Sequence, residues 1–170
     1  VTDLTGKGYI NGVSDKLFAP DRNLSRGMLV TILFRVDGEK AVTNTGAFRD
    51  VAKDSWCGKA VDWAAANGIV YGYDDGCFGP NDMVTRQQMA AILYRYAKLC
   101  GVDMSKVAGL DSFPDASKVA NYAKDAMAWA VESGIISGTL KGGKTYLDPT
   151  GSATRAQVAS ILMRYAKNFG

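Results

Sequence analysis

The sequence predicts a mainly α-helical fold in which three helix–hairpin–helix repeats close around a central three-helix bundle. Two observations predict it: an internal repeat that occurs three times, and an apolar stripe at helical spacing in every copy. Residues 85–98 match residues 154–167 at ten of fourteen positions, and residues 8–36 align with residues 68–96 at a shift of 60. Three copies without obvious capping repeats favour a closed ring over an open stack.

The second helix of each repeat is the most strongly predicted element. Its apolar residues recur at i, i+3, i+4 and i+7, which is one face of an α-helix. The three stripes are Leu29, Ile32, Leu33 and Val36; Met89, Ile92, Leu93 and Tyr96; and Val158, Ile161, Leu162 and Tyr165. These stripes bury one another most simply as a central bundle.

The first helix and the hairpin are predicted from caps and turn residues. In the second repeat Ser55 is expected to cap a helix over residues 56–67, and in the third Asn121 caps its counterpart. The residues expected to face inward are Trp56, Ala60, Trp63 and Ala64, and Tyr122, Ala126, Trp129 and Ala130. Asp75-Gly76 and Gly142-Gly143 are typical hairpin turns.

The repeats predict a single domain over residues 1–170. Its parts are a partial repeat 1 over 1–38, repeat 2 over 48–101 and repeat 3 over 113–170. The first repeat lacks most of its first helix, and the sequence starts at Val1 rather than Met. The missing start Met leads us to expect a piece of a longer protein. The short first repeat is either cut at this point or a degenerate copy.

Composition excludes several classes of function. The 170 residues include no histidine, which removes Ser-His and Cys-His catalysis and His-ligated zinc. Cys57, Cys77 and Cys100 form no CxxC pair; they are either small apolar fillers or, for the first two, a disulfide. No metal or cofactor is expected. The net charge of +3 is scattered, so no nucleic-acid partner is expected, and no apolar run predicts membrane insertion.

In every repeat, an arginine occupies the first position of the second helix. Arg26, Arg86 and Arg155 each follow a Ser or Thr cap. A cation there opposes the helix dipole at a cost of roughly 0.3 to 1 kcal/mol, so its repetition suggests a partner for the charge. An external anion would meet the guanidinium and free backbone N–H groups. The alternative is an internal salt bridge, for instance from Arg86 to Asp74, Asp75 or Asp115.

Several segments together resemble the S-layer homology motif of bacterial surface proteins. They are Phe48-Arg-Asp-Val, Trp56, residues 68–80 and residues 85–95, with a second match at Phe113-Pro-Asp, residues 134–138 and 154–157. The resemblance implies a pseudo-threefold prism whose grooves bind an anionic secondary cell-wall polysaccharide, often a pyruvylated N-acetylmannosamine. It assigns the carboxylate-binding role to Arg86 and Arg155, and to Arg26, which follows Ser instead of Thr.

The sequence departs from the family at a few positions. Gln88 and Gln157 replace the usual Glu and keep a capping box with Thr85 and Thr154, whereas Met28 cannot complete one. Tyr122 replaces the Trp that the family has at the start of the first helix.

Sugar binding adds further candidates. Tyr71, Tyr73, Trp63 and Trp129 are candidate aromatic platforms, although core packing is the favoured role for the two Trp. Gly12, Gly72 and Gly138 could admit a ligand close to the backbone, or simply form tight turns. Asp75 completes the set of expected ligand-binding residues.

The predicted function is a non-catalytic cell-wall anchoring module at the bacterial surface, whose partner is the anionic polysaccharide. The alternative is a module for protein interaction or self-association, in which the arginines form salt bridges. A carboxylate glycosidase is disfavoured, because its candidates lie in turns where Asp has ordinary backbone roles. Those candidates are Asp15, Asp74, Asp75, Asp82 and Asp115.

Overall fold

The computed structural model describes residues 21–43 and 45–169 of the 170-residue chain. Their regular elements are, in chain order, α1 Arg26–Val36, α2 Gly58–Ala66, α3 Arg86–Leu99, α4 Lys124–Glu132, β1 Thr139–Lys141, β2 Lys144–Tyr146 and α5 Arg155–Phe169. Two short 3-10 turns, Ala116–Lys118 and Asn121–Ala123, precede α4. The predicted mainly helical fold is therefore confirmed. Gly12 and the hairpin of the first repeat lie outside the described residues.

The predicted apolar stripes form the core. All four stripe residues of α3 and of α5 are buried, and of the four stripe residues in α1 only Val36 is exposed, at 37%. Among the described helices the closest pairs are α1 with α2 and α3 with α4, so the second helices of repeats 1 and 2 each pack against the first helix of the next repeat. Matching aromatic contacts mark both pairs: Phe34 with Trp63 at 5.5 Å between ring centroids, and Tyr94 with Trp129 at 5.6 Å.

A closed ring of backbone hydrogen bonds joins the three repeats just before their second helices. The N–H of Leu24 donates to the carbonyl of Ala153 (2.9 Å), Ala153 donates to Val84 (3.0 Å), and Val84 donates back to Leu24 (2.9 Å). All three residues are buried. Of the two predicted arrangements, ring and stack, these bonds favour the ring, whereas the central bundle and the prism shape stay predictions.

The predicted start of the first helix is wrong. Helix α2 begins at Gly58, with Cys57 as an N-cap that makes no side-chain bond, because residues just before it form a turn in which Gly58 N–H donates to the Ser55 carbonyl. Trp56 therefore lies outside the helix and is 57% exposed. Its ring rests on the start of α1, since a Cβ at Gly27 would lie 3.0 Å from it.

The third repeat differs from expectation in the same way. Asn121 opens a 3-10 turn, and α4 starts only at Lys124. Tyr122, which was expected to face inward, is 55% exposed. Trp56 and Tyr122 thus occupy equivalent exposed positions beside the preceding second helix.

Only one of the two described hairpins has strands. β1 and β2 pair antiparallel around Gly142-Gly143, as predicted, with Thr139 opposite Tyr146. Residues 69–78, which were expected to pair around Asp75-Gly76, form a turn closed by the bond from Tyr73 N–H to the Cys77 carbonyl (2.7 Å). The backbone N–H and carbonyl of Phe78, at the end of this segment, bond to the side chains of Asp50 and Arg26.

The remaining sequence expectations concern cysteines, membranes and metals. Cys57, Cys77 and Cys100 are all free thiols, so the disulfide considered for the first two is absent. None of the helices in the described ranges combines the length and apolar content needed to cross a lipid bilayer. Within the same ranges, His, Cys, Asp and Glu side chains form no group that could hold a metal ion.

Candidate ligand-binding grooves

Two grooves lie at equivalent places in the second and third repeats. Groove A has a volume of about 710 Å³ and is lined by Arg26, Val70, Tyr71, Gly72, Tyr73, Asp74, Asp75, Gln88, Ala91, Ile92, Arg95 and Tyr122. Groove B has a volume of about 270 Å³ and is lined by Arg86, Ile135, Ile136, Ser137, Gly138, Thr139, Ala156, Gln157, Ser160, Ile161 and Arg164.

The two grooves are built from corresponding parts. Each is formed by the hairpin and second helix of one repeat, together with the helix-start arginine of the preceding repeat. Arg26 of α1 thus reaches the hairpin of repeat 2, and Arg86 of α3 reaches that of repeat 3. The arginine and the rest of its groove therefore come from different repeats.

The guanidinium of Arg26 is fixed from two sides in groove A. Its Nε donates to the Phe78 carbonyl at 2.9 Å, and one terminal nitrogen lies 3.4 Å from the Tyr71 carbonyl. The guanidinium carbon lies 4.8 Å from the ring centroids of both Tyr73 and Phe78, a cation–π arrangement. Only 5% of Arg26 is exposed, so the side chain has one settled orientation with its fork at the groove.

Arg86 repeats this arrangement in groove B. Its Nε donates to the Leu147 carbonyl at 2.8 Å, and the residue is 6% exposed. Burial lowers the pKa of the Arg86 guanidinium, while the charges of Asp148 and Asp115 partly offset that effect. Groove B therefore carries a cation that is partly compensated by nearby carboxylates, although no ion pair to Arg86 forms within the described residues.

An aspartate holds the peptide on which each arginine rests. The Asp50 carboxylate accepts from the N–H groups of Phe78 (2.7 Å) and Gly79 (2.8 Å). Asp115 does the same for Leu147 (2.9 Å) and Asp148 (2.8 Å). Asp115 was considered as a salt-bridge partner of Arg86, but its oxygens bind backbone N–H groups instead.

The backbone N–H groups at the helix starts are not free for an anion, contrary to expectation. Carbonyls of the next repeat accept from the first two: Arg26 donates to Asp82 and Gly27 to Pro80, both at 2.9 Å. The third, from Met28, donates to the Ser25 hydroxyl at 3.3 Å. In α3 the same groups are taken by Gly151, Pro149 and the Thr85 hydroxyl. At the starts of α1 and α3 an anion would therefore meet the arginine guanidinium without help from these backbone N–H groups.

The carboxylate of Asp75 is also occupied. One oxygen accepts from Arg49 at 3.2 Å and the other from the Cys77 N–H at 3.0 Å. The N–H of Cys77 is the largest cause of the lowered Asp75 pKa. Asp75 lines groove A, but its charge is directed to Arg49 rather than to Arg26, so the internal salt bridge considered for the helix-start arginines is not formed there.

The third helix-start arginine faces the first repeat. Arg155 is 6% exposed, and its backbone N–H donates to the Arg22 carbonyl at 2.8 Å. Burial lowers the pKa of its guanidinium, and the charge of Arg22 lowers it further. All three arginines are thus buried at equivalent helix starts.

The aromatic candidates divide into two groups. Trp63 and Trp129 are 2% and 1% exposed, so they belong to the core and present no face to a ligand. Tyr71 and Tyr73 both line groove A and are 63% and 41% exposed. The Tyr73 hydroxyl donates to Asp82 at 3.0 Å.

The groove glycines are required by internal packing. A Cβ at Gly72 would lie 2.5 Å from the Phe48 ring and 2.7 Å from the Cys77 carbonyl. A Cβ at Gly138 would lie 2.6 Å from the Thr145 side chain, and its φ is +76°. Both glycines line grooves, yet the chain itself accounts for them without a ligand.

A family model for the S-layer homology domain matches residues 1–27, 47–90 and 112–159, which together cover well over half of the chain. The three matched segments follow the three repeats. The chain belongs to the S-layer homology domain family.

Relatives of this S-layer homology domain include surface proteins and enzymes. The surface-layer 125 kDa protein of Lysinibacillus sphaericus is 33% identical over 99% of the chain, and an amylopullulanase of Thermoanaerobacterium thermosulfurigenes is 28% identical over 94%. The chain spans only 14% and 8% of the lengths of these two proteins. A solved undecaheme cytochrome from the S-layer of Carboxydothermus ferrireducens is 27% identical over 86% of the chain and 21% of its own, with a TM-score of 0.45.

Membership has a direct functional meaning. The S-layer homology domain is a non-catalytic module for cell-wall anchoring. Its occurrence in surface-layer and cell-surface proteins indicates an extracellular location at the cell surface or wall. The ligand that this domain holds does not follow from membership alone.

Sequence reasoning missed three groove residues of the S-layer homology domain. Gln88 and Arg95 lie on one face of α3 with Ala91 and Ile92, at i, i+3, i+4 and i+7, and this spacing could have identified them. Tyr122 comes from the next repeat, and only the three-dimensional structure brings it to groove A.

Proposed function

We propose that the chain anchors its parent protein by binding an anionic secondary cell-wall polysaccharide in the inter-repeat grooves, with an acidic group of the glycan at Arg26 and another at Arg86. A pyruvate ketal on N-acetylmannosamine is the proposed acidic sugar. The observation that carries this proposal is the repeated, buried and pre-oriented guanidinium at equivalent positions of two grooves.

The bonding of these arginines supports a carboxylate ligand. A guanidinium has five N–H donors in a planar fork; the Nε bond to a carbonyl uses one of them in both arginines, and in Arg26 the Tyr71 carbonyl takes a second. The remaining donors suit the two oxygens of a carboxylate. Because backbone and rings already fix the fork, little side-chain entropy is lost on binding.

The surroundings of Arg26 support a sugar as the bearer of that carboxylate. The exposed rings of Tyr71 and Tyr122 line groove A and can face a pyranose, while Gln88 offers an amide for hydroxyl groups. Two grooves in one module also allow avidity toward a polymer with repeated acidic sugars.

Retention on purified cell-wall sacculi tests the proposal. We expect the double variant Arg26→Gln/Arg86→Gln to lose at least about tenfold in retention, because hydrogen bonds to charged groups contribute roughly 1.5 to 3 kcal/mol each. Lys98→Gln/Lys141→Gln is the matched control, since it removes two exposed positive charges outside both grooves and should retain wild-type binding.

Chemical removal of pyruvate from the sacculi gives a test that does not depend on variant folding. Wild-type protein should lose retention on the depyruvylated wall to the level of the double variant. Equal retention on treated and untreated walls would overturn the proposal and would favour the alternative, a module for protein interaction.

A further inference from the structure

Groove A contains a second guanidinium in addition to that of Arg26. Arg95 lies on α3, seven residues after Gln88, which is about 10 Å along the helix at 1.5 Å per residue. Its guanidinium carbon lies 4.7 Å from the centroid of the Tyr71 ring, and one terminal nitrogen lies 3.4 Å from the Ile69 carbonyl. Arg95 is therefore held in place at the far end of the groove floor.

The charge of Arg95 is not matched within the described part of the chain. The ion pairs found in residues 21–43 and 45–169 are Lys40 with Asp37 and Arg49 with Asp75. Burial lowers the pKa of Arg95 and the charge of Arg26 lowers it further, against the opposing effects of the Tyr71 and Tyr122 hydroxyls. The positive charges of Arg26 and Arg95 thus repel each other in one groove. A bound anion near both would offset this repulsion.

Aromatic side chains accompany Arg95 in groove A. Tyr71 and Tyr122 are 63% and 55% exposed and both line the groove. In groove B the corresponding arginine is Arg164, which is held in the same way by the Ile135 carbonyl at 3.2 Å. Its neighbours, however, are Ser137, Thr139 and Ser160, and none of the described residues that line groove B is aromatic.

We propose that Arg95, Tyr71 and Tyr122 form a second subsite of groove A, which takes a second acidic group of the ligand and one sugar face. Groove A accordingly selects a glycan segment with two negative charges on neighbouring sugars, because its second guanidinium is accompanied by two exposed rings, which are missing beside Arg164 among the described residues of groove B. This assignment rests on the proposed glycan-binding function. It specifies in addition how many acidic groups the preferred ligand carries.

Titration calorimetry with two synthetic probes tests the subsite. The first is a disaccharide with one pyruvate ketal, and the second is the same disaccharide with an additional carboxylate on the neighbouring sugar. Arg95→Gln should weaken binding of the two-acid probe about tenfold and leave the one-acid probe unchanged within about twofold. Arg164→Gln, the matched change in groove B, should leave the tighter site for the two-acid probe unchanged.

Other outcomes separate the two proposals. Equal weakening of both probes by Arg95→Gln, or no weakening of either, overturns the second subsite while glycan binding stands. Equal effects of Arg164→Gln and Arg95→Gln overturn the role of the aromatic pair. Binding of neither probe by the wild-type protein overturns the proposed function itself.

A charge-preserving variant serves as the control for misfolding of Arg95→Gln. Arg95→Lys keeps the positive charge but loses the planar fork that stacks on Tyr71. Arg95→Lys should bind the two-acid probe more tightly than Arg95→Gln does. Its affinity should also fall more steeply than that of Arg95→Gln as the salt concentration is raised. If Arg95→Lys and Arg95→Gln have matching melting temperatures and Arg95→Lys does not bind the two-acid probe more tightly, this result would count against a charge-selective subsite.

Discussion

Asp50 and Phe78 are joined by a 2.7 Å hydrogen bond from the Phe78 N–H to the Asp50 carboxylate, and the carbonyl of the same Phe78 accepts from Arg26. The carboxylate thus fixes the peptide that orients the groove cation, without touching the cation itself. Asp115 and Leu147 repeat the relationship for Arg86. The two aspartates act as positioning residues for the grooves.

Asp115→Asn is expected to destabilise the domain by about 1 to 3 kcal/mol. An amide can accept from only one of the two N–H groups that Asp115 satisfies, and Asp115 is 6% exposed, so the other N–H loses its partner in the interior. Urea unfolding gives the free energy difference. Asp111→Asn, which changes an exposed neighbour, should be neutral, and equal effects of both would contradict the role assigned to Asp115.

Gly72→Ala should lower the free energy of unfolding by about 1 to 3 kcal/mol, because the added methyl group meets the Phe48 ring and the Cys77 carbonyl in a packed region. Gly109→Ala is the matched control, since no atom lies within 4 Å of its Cβ position and its φ needs no glycine. Thermal melting compares the two. A stable Gly72→Ala protein would show that the groove glycine serves something other than internal packing.

Trp56 should account for most of the fluorescence that iodide can quench. It is 57% exposed, whereas Trp63 and Trp129, the other two tryptophans, are nearly fully buried. In Trp56→Phe the remaining fluorescence should be almost insensitive to iodide. Strong quenching of that variant would contradict the core positions of Trp63 and Trp129.

Asp62 should contribute stability that is lost in acid. Burial alone would raise its pKa, but N–H groups of Ala47, Gly46 and Thr45 and the charge of Lys53 lower the pKa below the ordinary value. A depressed folded-state pKa stabilises the protein above the unfolded-state pKa, about 3.9 for Asp, and this contribution disappears as pH falls through the folded-state value.

Unfolding free energies measured between pH 6 and pH 2 test this expectation. Asp62→Asn should be less stable than the wild type at the upper end, and the difference should shrink toward the acid end. Asp54→Asn, at an exposed position, is the control. A difference that stays constant with pH would mean that the charge of Asp62 is not the source of its effect.

Local signals in the sequence were sufficient for the second helices and their caps. Thr85 and Gln88 form both bonds of the predicted capping box, and Thr154 and Gln157 do the same. The period of the apolar stripes correctly predicted the buried helix faces. The Gly142-Gly143 turn correctly predicted the β1–β2 hairpin. All of these features depend on residues within one or two helical turns of each other.

Long-range partners explain what the sequence did not reveal. The N–H of Arg26 bonds to the carbonyl of Asp82, 56 residues away, so no local pattern shows that the helix start is already satisfied. The outward position of Trp56 depends on its contact with the start of α1 in another repeat. Arg95 was not predicted as a site residue, because the ring that holds it, Tyr71, lies in the hairpin 24 residues earlier in the chain.

The bond cycle through Leu24, Val84 and Ala153 constrains how such a chain can evolve. In a linear array, gene duplication or loss at one end adds or removes a unit and leaves the others intact, because each contacts only its neighbours. Here the first and last units complete each other, so deletion of any one leaves two unpaired junctions. A ring of this kind therefore needs all three of its units, whereas point substitutions such as those that distinguish groove A from groove B leave the ring intact.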